Sequence, residues 1–176
     1  MKKYLLGVIV MLVLTATACG NNQSEKAQEV LNNTSKEVKN DNNIRVKVTT
    51  DTFINECEYI DGVTYSKVTK GNVVEEYKED VRPYEMKDGV WVDGEYSKYL
   101  DAVCNLELLF NATDLSYNEN KENIIINGKI EAKYLQMAYP EKVDGTYKIT
   151  YTYTLDNKLV SISVDKLFTF EYSFDD

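Results

Sequence analysis

Residues 146–174 read TYKITYTYTLDNKLVSISVDKLFTFEYSF, and their alternation decides the fold class. Tyr147, Ile149, Tyr151, Tyr153 and Leu155 alternate with Lys148, Thr150, Thr152 and Thr154, the period of a strand with one buried face. Asp156-Asn157-Lys158 turns the chain into Val160, Ile162 and Val164. Phe168, Phe170, Tyr172 and Phe174 then alternate with Thr169, Glu171 and Ser173. Aromatic and β-branched residues fill these runs, as a pleated, half-buried surface favours.

Working back from this block, the same period recurs. Ile44, Val46 and Val48 alternate with Arg45, Lys47 and Thr49. Glu56–Ile60 and Val63–Val68 flank Asp61-Gly62, and Tyr84–Met86 and Val90–Val92 flank Asp88-Gly89. Asp-Gly between alternating runs is a strong hairpin signal, because both turn positions need positive φ. Lys70-Gly71-Asn72 leads into Val73–Tyr77, and Leu115–Tyr117 and Asn123–Asn127 flank another polar turn. Residues 129–138 fit either period and are closed by Pro140.

Two stretches change to a period of 3.6. From Ser24 to about Lys39, Ala27, Val30, Leu31, Thr34 and Val38 form a thin apolar stripe. The Asn cluster at 40–43 leaves open a second reading of 20–43 as a polar linker. From Ser97, the expected cap, to Phe110, the residues Tyr99, Leu100, Val103, Leu106, Leu109 and Phe110 recur at helical intervals before Asn111. A helix, then an antiparallel meander with one inserted helix, predicts an α+β domain over 24–176.

The N-terminus reads MKKYLLGVIVMLVLTATACG. Lys2 and Lys3 precede an apolar stretch, Leu5–Leu14, far shorter than the roughly 20 residues a spanning helix needs. Positive start, short apolar core and small residues describe a secretory signal over 1–18. Ala16-Thr17-Ala18-Cys19 resembles the lipobox of bacterial lipoproteins, with Ala16 where Leu is most usual. That resemblance implies cleavage before Cys19 and diacylglycerol on its thiol; the alternative is an ordinary signal cleaved at Ala18. Two acyl chains would anchor the chain stably. Residues 19–23 would then form a tether holding the domain within roughly 20 Å of the lipid. The MKK start and the Asn, Lys and Tyr richness suggest a Gram-positive bacterium and display on the outer face of the cell membrane.

Taken together, the lipobox at Cys19, the helix from Ser24, and the hairpins ECEYIDGVTYSKV and MKDGVWV resemble the LolA/LppX-like half-barrel superfamily of bacterial lipoproteins. So does the Trp91 segment leading directly into the 97–110 helix. The resemblance implies a curved open antiparallel sheet wrapped over two helices, with a hydrophobic or amphiphilic ligand on the concave side. It implies no shared catalytic residue.

Composition narrows the function classes. With 20 Lys plus Arg against 29 Asp plus Glu, the formal net charge is -9, which argues against nucleic acid and against electrostatic docking on an anionic bilayer. The absence of histidine removes the commonest general base and metal ligand. Ser163-Val164-Asp165-Lys166 matches an S-x-x-K pattern without its companion motifs. Glu75-Glu76 and Glu79-Asp80 would point to opposite faces of a strand. Asn118, Asn120 and Glu122 alternate like a calcium loop but lack its glycine. No enzyme, metal or cofactor is therefore expected.

The aromatic face between Tyr147 and Phe174 has two readings. Its rings make the core, or some of them, with Tyr147, Tyr151, Phe168 and Phe170 first, line a groove for a lipid-like ligand. A filled core would instead suit an interaction module for another envelope protein. Cys57 and Cys104 are an even pair in an exported chain and so a candidate disulfide, with a plain buried thiol at Cys104 as the alternative.

Overall fold

The computed structural model describes residues 22–174. The expected leader 1–18 and Cys19, the expected acylation position, lie outside the described residues. Helix α1 occupies 22–40, so residues 22 and 23 of the expected tether are already helical. Ala27, Leu31, Thr34 and Val38 are its buried positions, the stripe that the 3.6 period predicts.

Eleven strands form one antiparallel sheet: β1 (Asn43–Thr49), β2 (Ile54–Ile60), β3 (Val63–Lys70), β4 (Val73–Glu79), β5 (Pro83–Lys87), β6 (Val90–Asp93), β7 (Thr113–Glu119), β8 (Asn123–Glu131), β9 (Thr146–Thr154), β10 (Leu159–Val164) and β11 (Phe168–Phe174). Their spatial order is β6-β5-β4-β3-β2-β1-β11-β10-β9-β8-β7, an open sheet with β6 and β7 at its two edges. The Asp-Gly turns form as expected, with Asp61 at φ 51 and Gly62 at φ 87, and Asp88 at φ 51 and Gly89 at φ 79. Both central residues of each turn have positive φ, which matches the right-handed twist of the flanking strands.

Local periodicity does not reveal the seam in the middle of the sheet. β1 pairs with β11 from Ile44↔Phe174 to Thr49↔Thr169, so the first and last strands join two meanders. The chain must therefore pass from edge strand β6 to the opposite edge strand β7, and residues 94–112 make that crossing over the concave face. The segment is not the single helix expected over 97–110. It consists of a 3₁₀ turn Lys98–Leu100, a short helix α2 (Asp101–Cys104) and a second 3₁₀ turn Leu106–Phe110. A 3₁₀ turn rises about 2.0 Å per residue against 1.5 Å for an α-helix, so breaking the helix lengthens its reach. Ser97 stands at the start with extended backbone, but its side chain makes no capping bond. The ambiguous 129–138 stretch divides between the end of β8 and helix α3 (Ala132–Ala138).

One core lies between the sheet and this helical layer. Leu100, Leu106 and Leu109 from the crossing segment are fully buried with Ile126, Ile130, Ile149, Tyr151, Tyr153 and Phe170 from the sheet. In β10 the expected inward Val160 is exposed and Leu159 is buried instead, because the β9–β10 register shifts between Leu159 and Ser161. Such an irregularity re-aims the side chain beside it.

Candidate functional site

Where the helical layer leaves the concave face uncovered, a cleft of about 310 Å³ opens between the end of α1 and α2. β1 and β2 run antiparallel in register Ile44↔Tyr59, which brings these two residues side by side as its floor. Val38 from the last turns of α1 and Val103 from α2 form its walls. Val38, Ile44 and Val103 are each at most 4% exposed, and Tyr59 is half-buried with its ring against the core. The rim is charged: Lys39, Asp41 and Glu107, with the Cys104 thiol between them. An apolar floor under a rim of both charge signs is chemically amphiphilic.

Asp41 is held in place. Its Oδ1 accepts the backbone N–H of Asn43 at 2.9 Å, and its Oδ2 accepts the Tyr172 hydroxyl at 3.5 Å. Burial, then the neighbouring Asp41 carboxylate, pushes the Tyr172 phenol above its ordinary range. Beside the cleft the helical layer rests on small polar groups rather than on hydrocarbon. The Ser66 hydroxyl donates to Asn55 Oδ1 at 2.7 Å, and Asn55 Nδ2 donates to the Tyr99 carbonyl at 2.9 Å. The Cys57 thiol donates to the same carbonyl at 3.2 Å.

The expected disulfide is not formed: both thiols are free, Cys57 buried and Cys104 exposed. The reason is local. Cys57 is turned down from β2 onto the Tyr99 carbonyl, and burial pushes its thiol up to about 12. Cys104 sits at the cleft rim 3.5 Å from the Thr64 hydroxyl, and partial burial raises it too.

Of the four aromatic residues expected at a ligand, Tyr151, Phe168 and Phe170 lie on the predicted face beneath the cover, and Tyr147 lies at its margin. Tyr151 stacks on Phe110 at 5.8 Å between ring centroids and donates its hydroxyl to the Leu109 carbonyl at 2.5 Å. Phe168 and Phe170 pack edge to face at 4.9 Å, and Tyr139 at the end of α3 covers Phe168 at 4.9 Å. Tyr147 is half-buried at the margin of the core, opposite Ile130. None of the four lines the cleft, whose floor is instead built by Ile44 and Tyr59. The alternation of 44–48 marked Ile44 as inward, yet nothing local marked it as a residue beside a cleft. Tyr153 is fully buried beside Thr34, and its hydroxyl makes no hydrogen bond of good geometry.

The remaining motifs resolve into surface chemistry. Glu75 faces the helical layer and accepts Lys70 Nζ at 2.7 Å and the Tyr77 hydroxyl at 2.9 Å, contacts that hold its carboxyl below the ordinary range. Glu76 points the other way. Asn120 Oδ1 caps a hairpin turn by accepting the N–H groups of Glu122 and Asn123. Ser163 lies in β10 with its hydroxyl 3.4 Å from that of Thr169. Among the described residues no three His, Cys, Asp or Glu side chains are grouped to hold a metal ion, and no helix is long and apolar enough to cross a membrane.

No family model and no curated protein matches the sequence. Two solved structures match the fold. LprF from Mycobacterium bovis superposes with a TM-score of 0.67 at 18% identity, over 86% of this chain and 93% of that one. The lipoprotein LppX of Mycobacterium tuberculosis gives 0.59 at 17% identity, over 85% and 95%. At that identity the likeness is one of architecture: the chain shares with these two structures an open antiparallel sheet covered by helices.

Proposed function

We propose that the protein is a non-enzymatic lipoprotein, anchored through acylated Cys19 on the outer face of a cell membrane, that binds a hydrophobic or amphiphilic ligand between its helical layer and its sheet. The observation that carries the reading is the cleft over Ile44 and Tyr59, with its apolar floor and its rim of Lys39, Asp41 and Glu107. Ligand sites are mostly apolar with a few placed polar groups, in clefts of roughly 300–1,000 Å³. At about 310 Å³ this one is at the small end, fitting one chain or a compact amphiphile. LppX, whose fold the chain shares, is a lipoprotein, which supports the lipoprotein part of the reading.

The short distance between Cys19 and α1 supports membrane proximity. With the helix established by residue 22, Val38 and the cleft stand about 24 Å along α1 from its start, at 1.5 Å per residue. Acylation is tested by palmitate labelling in cells: label on the unaltered chain and none on Cys19→Ser is the expected result. Ligand binding is tested by organic extraction of the purified full chain followed by mass spectrometry. Extraction removes non-covalent lipid and leaves the thioether-linked anchor. About one lipid per chain supports the reading, and none above the level carried by the detergent contradicts it.

A second reading is favoured by the close packing of Tyr151, Phe168 and Phe170, each at most 4% exposed. Here the core is filled and the domain serves as an interaction module for another envelope protein. Extraction yielding no lipid, with one stoichiometric partner recovered by cross-linking in cells, would favour it.

A further inference from the structure

The mouth of the cleft over Ile44 and Tyr59 is unequal in charge. Asp41 and Glu107 line it together with Lys39. Two further carboxylates stand beside it. Glu79 lies directly opposite Thr64 in the β3–β4 register, so both face the helical layer, and the Thr64 hydroxyl is 3.5 Å from Cys104 Sγ at the cleft rim. Asp101 begins α2 one turn before Cys104, and Glu107 follows one turn after it. Burial first, and then the charges of Glu79, Asp101 and Glu107, raise the Cys104 thiol, so these three carboxylates act on one point of the rim.

Acids and bases differ here in setting as well as in number. Asp41, Glu79, Asp101 and Glu107 are each half-buried, and none forms an ion pair among the described residues. Asp41 accepts the Asn43 N–H and the Tyr172 hydroxyl, and Asp101 accepts the Tyr96 hydroxyl and the Asn105 amide. These neutral donors fix the carboxylates without cancelling their charge. Lys39, and Lys98 one turn before Asp101, are exposed and likewise form no ion pair among the described residues. The lysines of the neighbouring strands are engaged elsewhere: Lys70 with Glu75 at 2.7 Å, and Lys78 over the rings of Tyr65 and Tyr84 at 5.8 and 5.4 Å. A charge against protein acts more strongly than one in water, where the solvent and its ions screen it. The half-buried carboxylates therefore set the sign of the mouth.

The net charge of -9 adds a field of the same sign over the whole chain. An anionic headgroup would enter against both fields, whereas a protonated amine would be drawn in and matched. We infer that the cleft selects an amphiphile whose headgroup is positively charged, with its chain on Val38, Ile44, Tyr59 and Val103 and its cation at the acidic mouth. The inference rests on the ligand reading above and names the headgroup class that this reading leaves open.

The test places the full chain in phosphatidylcholine vesicles with one of three photoactivatable amphiphiles of equal chain length. These are a primary amine, its neutral N-acetyl derivative and a fatty acid, each at the same measured amount in the membrane. After irradiation, peptide mass spectrometry counts adducts on Val38, Ile44, Tyr59 and Val103. The amine should label these residues about tenfold more than the N-acetyl derivative, and the fatty acid should label them least. Glu79→Gln with Glu107→Gln should shrink the amine's advantage severalfold, Lys39→Gln should enlarge it, and added sodium chloride should shrink it on the unaltered protein. If circular dichroism shows the double variant to be misfolded, Lys39→Gln and the salt series still decide. Equal labelling by the amine and its N-acetyl derivative, or an advantage indifferent to salt, would overturn the inference and leave the ligand reading standing. No adducts in the cleft from any of the three would overturn both. Free ethylamine should compete with the amine probe no better than sodium ion does. Stronger competition would show that charge alone is recognised and overturn the amphiphile.

Discussion

The hydroxyl of Tyr151 donates to the carbonyl of Leu109 at 2.5 Å, tying the middle of β9 to the segment that crosses the concave face. Both residues are fully buried. Tyr151→Phe keeps the ring stack on Phe110 and leaves that carbonyl without its partner, which costs about 1–2 kcal/mol. Tyr153→Phe removes a buried hydroxyl that makes no bond of good geometry, and should be neutral or stabilising. Denaturant midpoints of the two variants measure the contrast, and equal losses would contradict it.

Gly128 in β8 lies under the irregular start of β7, where Asp114 has φ 53 and the register shifts between Thr113 and Ser116. A Cβ on Gly128 would stand 2.8 Å from Leu115 Cδ2 and 3.0 Å from the Thr113 carbonyl oxygen. Leu115 can rotate away, but the carbonyl cannot without moving the strand. Gly128→Ala should therefore destabilise by about 1–3 kcal/mol, read as a lower denaturant midpoint.

The two thiols of the domain should differ in reactivity. Cys104 is exposed at the cleft rim, whereas Cys57 is buried with its thiol pushed up to about 12 by burial. The thiolate is the nucleophile, so Cys57 should stay unmodified in the folded chain. Alkylation near pH 8 followed by peptide mapping should find label at Cys104 and none at Cys57 until denaturant is added. Occupation of the cleft by ligand should slow Cys104.

Alkali should unfold the domain. Cys57 is raised from 9.0 to about 12, chiefly by burial, and Tyr77 and Tyr139 from 10.0 to about 12, by burial and then by Glu75 and Glu141. Burial also raises Tyr151 well above its ordinary 10.0. Each group keeps its proton longer when folded, so between the unfolded and folded values the folded state binds more protons. Stability should be indifferent to these groups below about pH 9 and fall as pH rises toward 12. Chemical denaturation in steps of pH measures this, and a flat profile across that window would contradict the burial of these phenols.

Much of this architecture was legible locally, because strand period and Asp-Gly turns are short-range signals. Asp61-Gly62 and Asp88-Gly89 formed the hairpins their chemistry requires, and Tyr151, Phe168 and Phe170 lie on the face their alternation assigned. The pairing of β1 with β11 was not legible, since it joins residues more than a hundred positions apart. That seam makes 94–112 a crossing from edge to edge, and so breaks the helix that the apolar spacing of 97–110 predicted. The candidate site eluded the sequence for a related reason. Alternation tells which residues face inward, but not which of them Leu109, Phe110 and Tyr139 will cover. Those distant residues bury Tyr151 and Phe168, and the cleft falls instead beside Ile44 and Tyr59.

The central claim is that an amphiphile occupies the concave side through the cleft between α1 and α2. The most direct test loads the full chain in vesicles with a photoactivatable fatty acid, irradiates it, and maps the adducts by peptide mass spectrometry. Adducts concentrated on Val38, Ile44, Tyr59 and Val103, and lost when Val103→Trp fills the cleft, are the predicted result. Adducts spread over the outer surface, or an unchanged pattern in Val103→Trp, would contradict it.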